Sequence, residues 1–113
     1  NMITAHYREK NIKQTPHGVD VRELYSKEPA QAIHILLQPG ESLKPHITPV
    51  DVFFYVLEGS PTIHVGRESR SFPADTLVES PARIPHHISN ESDAQARILV
   101  VKAPRPTQAT RLL

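Results

Sequence analysis

The sequence predicts an all-β fold, a small sandwich or barrel of short strands. Three observations predict it. Runs rich in β-branched and aromatic residues recur at regular spacing, with VFFYVL at 52–57, TIHV at 62–65 and ARILVVK at 96–102 the clearest, and turn residues separate them. Eleven prolines against four glycines exclude long helices and punctuate short strands. No segment carries the capped, 3.6-residue apolar period of an amphipathic helix.

In chain order, residues 3–14 alternate weakly and are charged, so they read as an edge strand or an ordered arm. Thr15-Pro16-His17-Gly18 is a turn. Residues 19–25 alternate through Val19 and Val21 and then shift phase to Leu24, a strand with a break in its period. Residues 26–29 turn the chain. AIHILLQ at 32–38 is a continuous β-prone run ending at Pro39-Gly40, short enough to be a strand buried on both faces. Residues 42–48 follow, broken by Pro45 and Pro49. Residues 52–57 form the strongest strand, stopped by Glu58-Gly59. Short strands are expected at 62–65, 68–72, 76–79 and 86–89, with turns at Gly66, at Pro73-Ala74-Asp75 and at 90–93. Residues 96–102 are the last clear strand, and 103–113 read as an extended Pro- and Thr-rich tail. The division is an N-terminal arm with strands at 1–31, a core at 32–102 and a tail at 103–113, all one domain.

The chain has 113 residues, one domain's length and enough for a single core. That core is mostly aliphatic, because there is no Trp, and it is closed by Phe53, Phe54, Phe72 and the tyrosines. The formal net charge of +1 and the lack of a basic stripe argue against nucleic acid as a partner. The absence of cysteine excludes disulfides, thiolate metal sites and cysteine nucleophiles. No apolar run reaches the length of a membrane span, and residues 1–11 lack a signal peptide's apolar region. The expectation is a cytoplasmic protein whose natural start is Met2, with Asn1 appended. No Gly-x-Ser-x-Gly elbow, phosphate loop or HExxH motif occurs.

Two stretches carry the chemistry. In PGESLKPHITPVDVFFYVLEG, Gly40 is followed by five residues, His46, Ile47, Thr48, then Pro49-Val50-Asp51, Val52, six residues and Gly59. In the second, Asp75 leads through five residues to Pro81-Ala82-Arg83, then Ile84-Pro85, His86, three residues and Asn90. This spacing resembles the two motifs of the cupin superfamily over roughly residues 32–102. The resemblance implies an antiparallel jelly-roll β-barrel. It also implies a divalent metal held by two His and a Glu from the first motif and a His from the second. Position by position, His46 and His86 match. Thr48 stands for the second His, Val52 for the Glu, and Arg83 for a Gly.

Two imidazoles suit Zn, Fe, Ni, Mn or Cu but need a third ligand. Asp51 supplies it if Pro49 bulges the chain; otherwise strand alternation sends Asp51 to solvent or into a turn hydrogen bond. Thr48 offers a hydroxyl, or simply fills the gap left by the missing imidazole. His64 supplies an imidazole if it points inward; otherwise it makes a cross-strand pair. Alternation puts His87 opposite His86. His34 reads as a hydrogen-bonded core histidine, and His6 and His17 as surface residues. Val52, Phe54, Val56 and Val78 are expected to line an apolar pocket for a small organic molecule, and Arg83 either pairs with a ligand carboxylate at its mouth or is simply solvated in its loop. Val52 in place of Glu makes that pocket less anionic and favours a carboxylate or neutral ligand.

Two functions follow from the resemblance. One is a metal-dependent cupin acting on a small organic molecule. The other is a metal-free cupin, a sensor or carrier, that binds such a molecule without reaction. A purely structural oligomer is a third. Residues 3–12 are the expected strand through which a homodimer would form, and Leu112 and Leu113 the apolar anchors of the tail.

Overall fold

A computed structural model describes residues 1–113. The chain folds as an antiparallel jelly roll of two five-stranded sheets. The strands are β1 (Asp20–Lys27), β2 (Ala30–Leu37), β3 (His46–Ile47), β4 (Asp51–Glu58), β5 (Thr62–Val65), β6 (Glu68–Ser71), β7 (Leu77–Ser80), β8 (His86–Ser89), β9 (Ala96–Ala103) and β10 (Arg111–Leu112). One sheet runs β1-β2-β9-β4-β7 and the other β10-β3-β8-β5-β6. No helix is long and apolar enough to cross a membrane.

Alternation builds the core. In β4, Val52, Phe54 and Val56 are buried while Asp51, Phe53, Tyr55 and Leu57 face the other way. In β9, Ala96, Ile98 and Val100 do the same. These side chains meet Ile63 of β5 and Ile88 of β8 from the opposite sheet in one apolar cluster. β2 is buried on both faces at Ile33, His34 and Ile35, as its continuous apolar run requires.

The phase break at Leu24 is a β-bulge. Glu23 pairs Ile33 and Tyr25 pairs Ala32, so Leu24 is the extra residue. The turns also explain two motif substitutions. Asp75 and Arg83 stand where the motif has glycine, and both have φ of 68°. The left-handed backbone is kept while its usual residue is not.

The N-terminal arm is ordered but is not an edge strand. It forms a single 3₁₀ turn, Tyr7–Glu9, laid on the outer face of the first sheet. The Tyr7 ring stacks on His34 at 3.9 Å between centroids, and Arg22 Nη1 donates to the Tyr7 and Lys10 carbonyls. His34 is therefore buried under the arm rather than in the barrel. Its Nε2 meets Arg97 at 3.2 Å, and its Nδ1 is the one buried side-chain polar atom without a partner. The tail returns to the barrel, where β10 extends the second sheet by pairing β3. Leu112 and Leu113 remain exposed there and anchor nothing.

Candidate functional site

His46 and His86 are register partners across β3 and β8, so the pleat turns both rings to the interior. Both are buried, with ring centroids 4.6 Å apart and planes at 85°. They line a cavity of about 200 Å³ between the sheets. Its apolar wall includes Phe54, Val21, Ile33, Ile35 and Val100. Of the expected lining, Phe54 is there; Val52 and Val56 are buried in the core outside it, and Val78 packs at the core's edge.

The structure adds two residues at this cavity, His17 and Lys102. His17 is not a surface residue: its ring lies 5.0 Å from that of His46, because the turn before β1 folds over the barrel's mouth. Lys102 is the last inward position of β9, in the series Ala96, Ile98, Val100, Lys102. It stands opposite Gln31 on β2 and Val52 on β4. No Asp or Glu lines the cavity.

Hydrogen bonds set the imidazole protons. The Lys44 amide donates to His17 Nδ1 at 2.9 Å. That nitrogen is an acceptor, so neutral His17 carries its proton on Nε2. His46 Nδ1 lies 2.6 Å from the Lys44 carbonyl. A carbonyl only accepts, so Nδ1 carries the proton and Nε2 keeps its lone pair. One residue's peptide groups thus hold two neighbouring imidazoles in opposite tautomers. His86 is engaged at both nitrogens by hydroxyls, Nδ1 with Ser80 Oγ at 2.6 Å and Nε2 with Thr48 Oγ1 at 3.3 Å.

Burial keeps these rings neutral. It pushes His86 down to about 3, helped by the facing His46, and His17 down to about 4, again with His46 beside it. It lowers His46 as well, opposed in part by the Lys44 carbonyl. The Lys102 ammonium is lowered by burial and then by the nearby Lys13.

The other proposed ligands do not join the pair. Asp51 is exposed, as alternation from buried Val52 requires, and its Oδ1 accepts from the Ala82 amide at 2.8 Å. The bulge that would turn it inward is absent from this end of β4. His64 follows buried Ile63 and faces outward, stacked on His87 at 3.9 Å and bonded to Ser89 Oγ at 2.9 Å. Thr48 is inside and buried, but its hydroxyl is directed at His86. Arg83 is exposed in an outer groove beside Ile47 and Arg111 and does not line the cavity.

This donor set does not fit the transition metal that the motif resemblance implies. No three His, Cys, Asp or Glu side chains are grouped to hold an ion. His86 has both nitrogens engaged, and His17 points an N–H, not a lone pair, away from Lys44. Only His46 Nε2 is a free donor atom of the right kind, and one imidazole does not retain a metal.

Residues 33–102 match the family model described as Cupin domain. Sequence comparison with curated proteins gives no match. Among solved structures, the chain is similar to TT1209 from Thermus thermophilus, with 32% identity, a TM-score of 0.75, and 83% of this chain and 90% of that one covered. It is similar to an RmlC-like cupin from Methanocaldococcus jannaschii, with 24% identity, a TM-score of 0.74, and 86% and 90% covered. It also shares its fold with the polyketide cyclase RemF from Streptomyces resistomycificus, with 20% identity, a TM-score of 0.81, and 100% and 86% covered.

Proposed function

The chain belongs to the cupin family, and on that premise we propose that its barrel binds a small organic anion with its own side chains, without a resident metal. The observation that carries this reading is the charge of the cavity wall. Lys13, Lys102 and three histidines line it, and no carboxylate does. Lys13 is tied to Glu23 at 3.4 Å. Lys102 forms no ion pair and no hydrogen bond with the protein, and its Nζ is not sealed from open space. Taking an ammonium partly out of water without a directly bonded partner is costly, and a ligand carboxylate offsets that cost.

Size narrows the ligand. About 200 Å³ is below the roughly 300–1,000 Å³ of sites for drug-sized molecules. A short carboxylic acid fits, with its carboxylate at Lys102 and its apolar part against Ile33, Ile35 and Phe54. His17 Nε2–H adds a neutral donor at the same opening.

The test is native mass spectrometry with elemental analysis on untagged protein purified without a metal column. The reading expects a small acidic molecule released on denaturation, or taken up from a panel of short carboxylic acids, with far less than one metal per chain. Near-stoichiometric metal that survives chelation would contradict it and restore a metal centre at His46 and His86.

A further inference from the structure

Resting on that anion-binding reading, we infer that the cavity is also an acid–base site. His46 Nε2 takes a proton from the carbon beside the carbonyl of a small 2-oxo acid, while His17 Nε2–H holds the carbonyl oxygen and Lys102 the carboxylate.

The inference stands on three atoms and their chemistry. His46 Nε2 is a lone pair without a protein partner, because Nδ1–H is spent on the Lys44 carbonyl. His17 Nε2–H is a donor without a protein partner, because Nδ1 is spent on the Lys44 amide. Lys102 Nζ is a cation without a protein partner. None of the three is sealed off: the only buried side-chain polar atom lacking a partner is His34 Nδ1, on the outer face. All three residues line the same cavity. A base, a neutral hydrogen-bond donor and an anion anchor are what enolisation of an oxo acid uses.

Lys44 makes the division of labour rigid. A histidine pair bonded only to each other could exchange tautomers. Here swapping them would set an N–H of His17 against the Lys44 N–H and a lone pair of His46 against the Lys44 carbonyl, losing both hydrogen bonds. His86 has no such freedom to offer, since Ser80 and Thr48 occupy both its nitrogens. It supports the His46 ring edge-on and is not the base.

The step balances without a co-reactant. The C3–H bond of the acid breaks and its electron pair forms the C2–C3 double bond. The carbonyl π pair moves to oxygen, where His17 Nε2–H meets it. The proton goes to His46 Nε2, and the imidazolium so formed keeps its Nδ1–H on the Lys44 carbonyl. Return of a proton to C3 regenerates the acid. In D₂O that return delivers deuterium.

The experiment uses 2-oxobutyrate as probe, with chelator-treated protein in D₂O, following loss of the C3 proton signal by NMR and binding by calorimetry. The wild-type protein is expected to exchange C3. His46→Gln should lower the rate by about 10²-fold or more while binding and melting temperature hold. His17→Phe should lower the rate with a smaller loss of binding. His64→Gln, on the outer face, should change neither. Binding without exchange would overturn the inference and leave the anion-binding reading standing. Absence of binding would overturn both. Exchange that survives in His46→Gln, or that needs an added metal ion, would also overturn it.

Discussion

Lys102 stands directly across the β4–β9 ladder from Val52, and both are on the inner face of the sheet. Val52 occupies the position at which the cupin motif carries glutamate. The pairing therefore sets a cation beside a methyl-bearing side chain where a carboxylate would have neutralised it. In this row Gln31 and Lys102 line the cavity while Val52 packs in the core beside it, so the wall gains a cation with no carboxylate across from it.

Val52→Glu should supply that carboxylate. The new carboxylate would pair with Lys102, and small carboxylic acids should bind at least about tenfold more weakly by calorimetry, or about 1.4 kcal/mol. The same substitution places a carboxylate on β4 across from Ser80, whose hydroxyl meets His86. Metal uptake from a Zn²⁺ or Ni²⁺ solution should rise above that of the wild type.

Lys102→Met should separate function from stability. Carboxylate binding should weaken about ten- to a hundredfold, because the anchor is gone. The fold should melt at an equal or higher temperature, by about 2–5 °C, since a partly desolvated ammonium without a direct partner is removed. A large drop in melting temperature would mean that Lys102 is a structural residue.

Stability should fall as the pH drops below about 6.5. Burial and the adjacent Arg97 hold His34 down to about 4, and burial and the facing His46 hold His86 down to about 3. Between these values and the ordinary 6.5, the unfolded chain binds protons that the folded chain refuses. Stability is therefore full above 6.5 and declines toward pH 4, by at most about 1.4 kcal/mol per pH unit for each ring. Thermal melts from pH 7 to 4 check this. His34→Phe, which keeps the stack on Tyr7, should flatten the slope.

Gly59→Ala should destabilise the barrel strongly. Gly59 has φ of 81°, and a Cβ there would lie 2.5 Å from the Gln95 carbonyl oxygen and 2.9 Å from Ala96 Cα. Both neighbours are backbone and cannot swing aside. A loss of more than about 2 kcal/mol in urea unfolding is expected, without any change in the ligand chemistry.

These residues also show which parts of the molecule were legible in the sequence. Strand periodicity located β2, β4, β5, β8 and β9, because it is local, and the break in period at Leu24 coincides with the bulge of β1. His46 and His86 were legible through motif spacing, which encodes their pairing across β3 and β8. For Asp51 the sequence leaves two outcomes open, and strand alternation from Val52 decides between them: Asp51 faces out and takes a turn hydrogen bond. Lys102 carries a local signal, as the fourth member of the inward series of β9. His17 had none. It comes from a turn outside the motifs, and only the tertiary path of the arm and the Lys44 peptide bring it to His46. The tautomers likewise depend on two backbone atoms that no residue-type pattern records.

The most direct test of the metal-free anion site is calorimetric titration of 2-oxobutyrate into chelator-dialysed protein, run side by side with Lys102→Met. Saturable binding by the wild type in the presence of chelator, lost or weakened at least about tenfold in the variant, is the predicted result. Binding that appears only after a divalent metal is added back, and that is indifferent to Lys102, would contradict it.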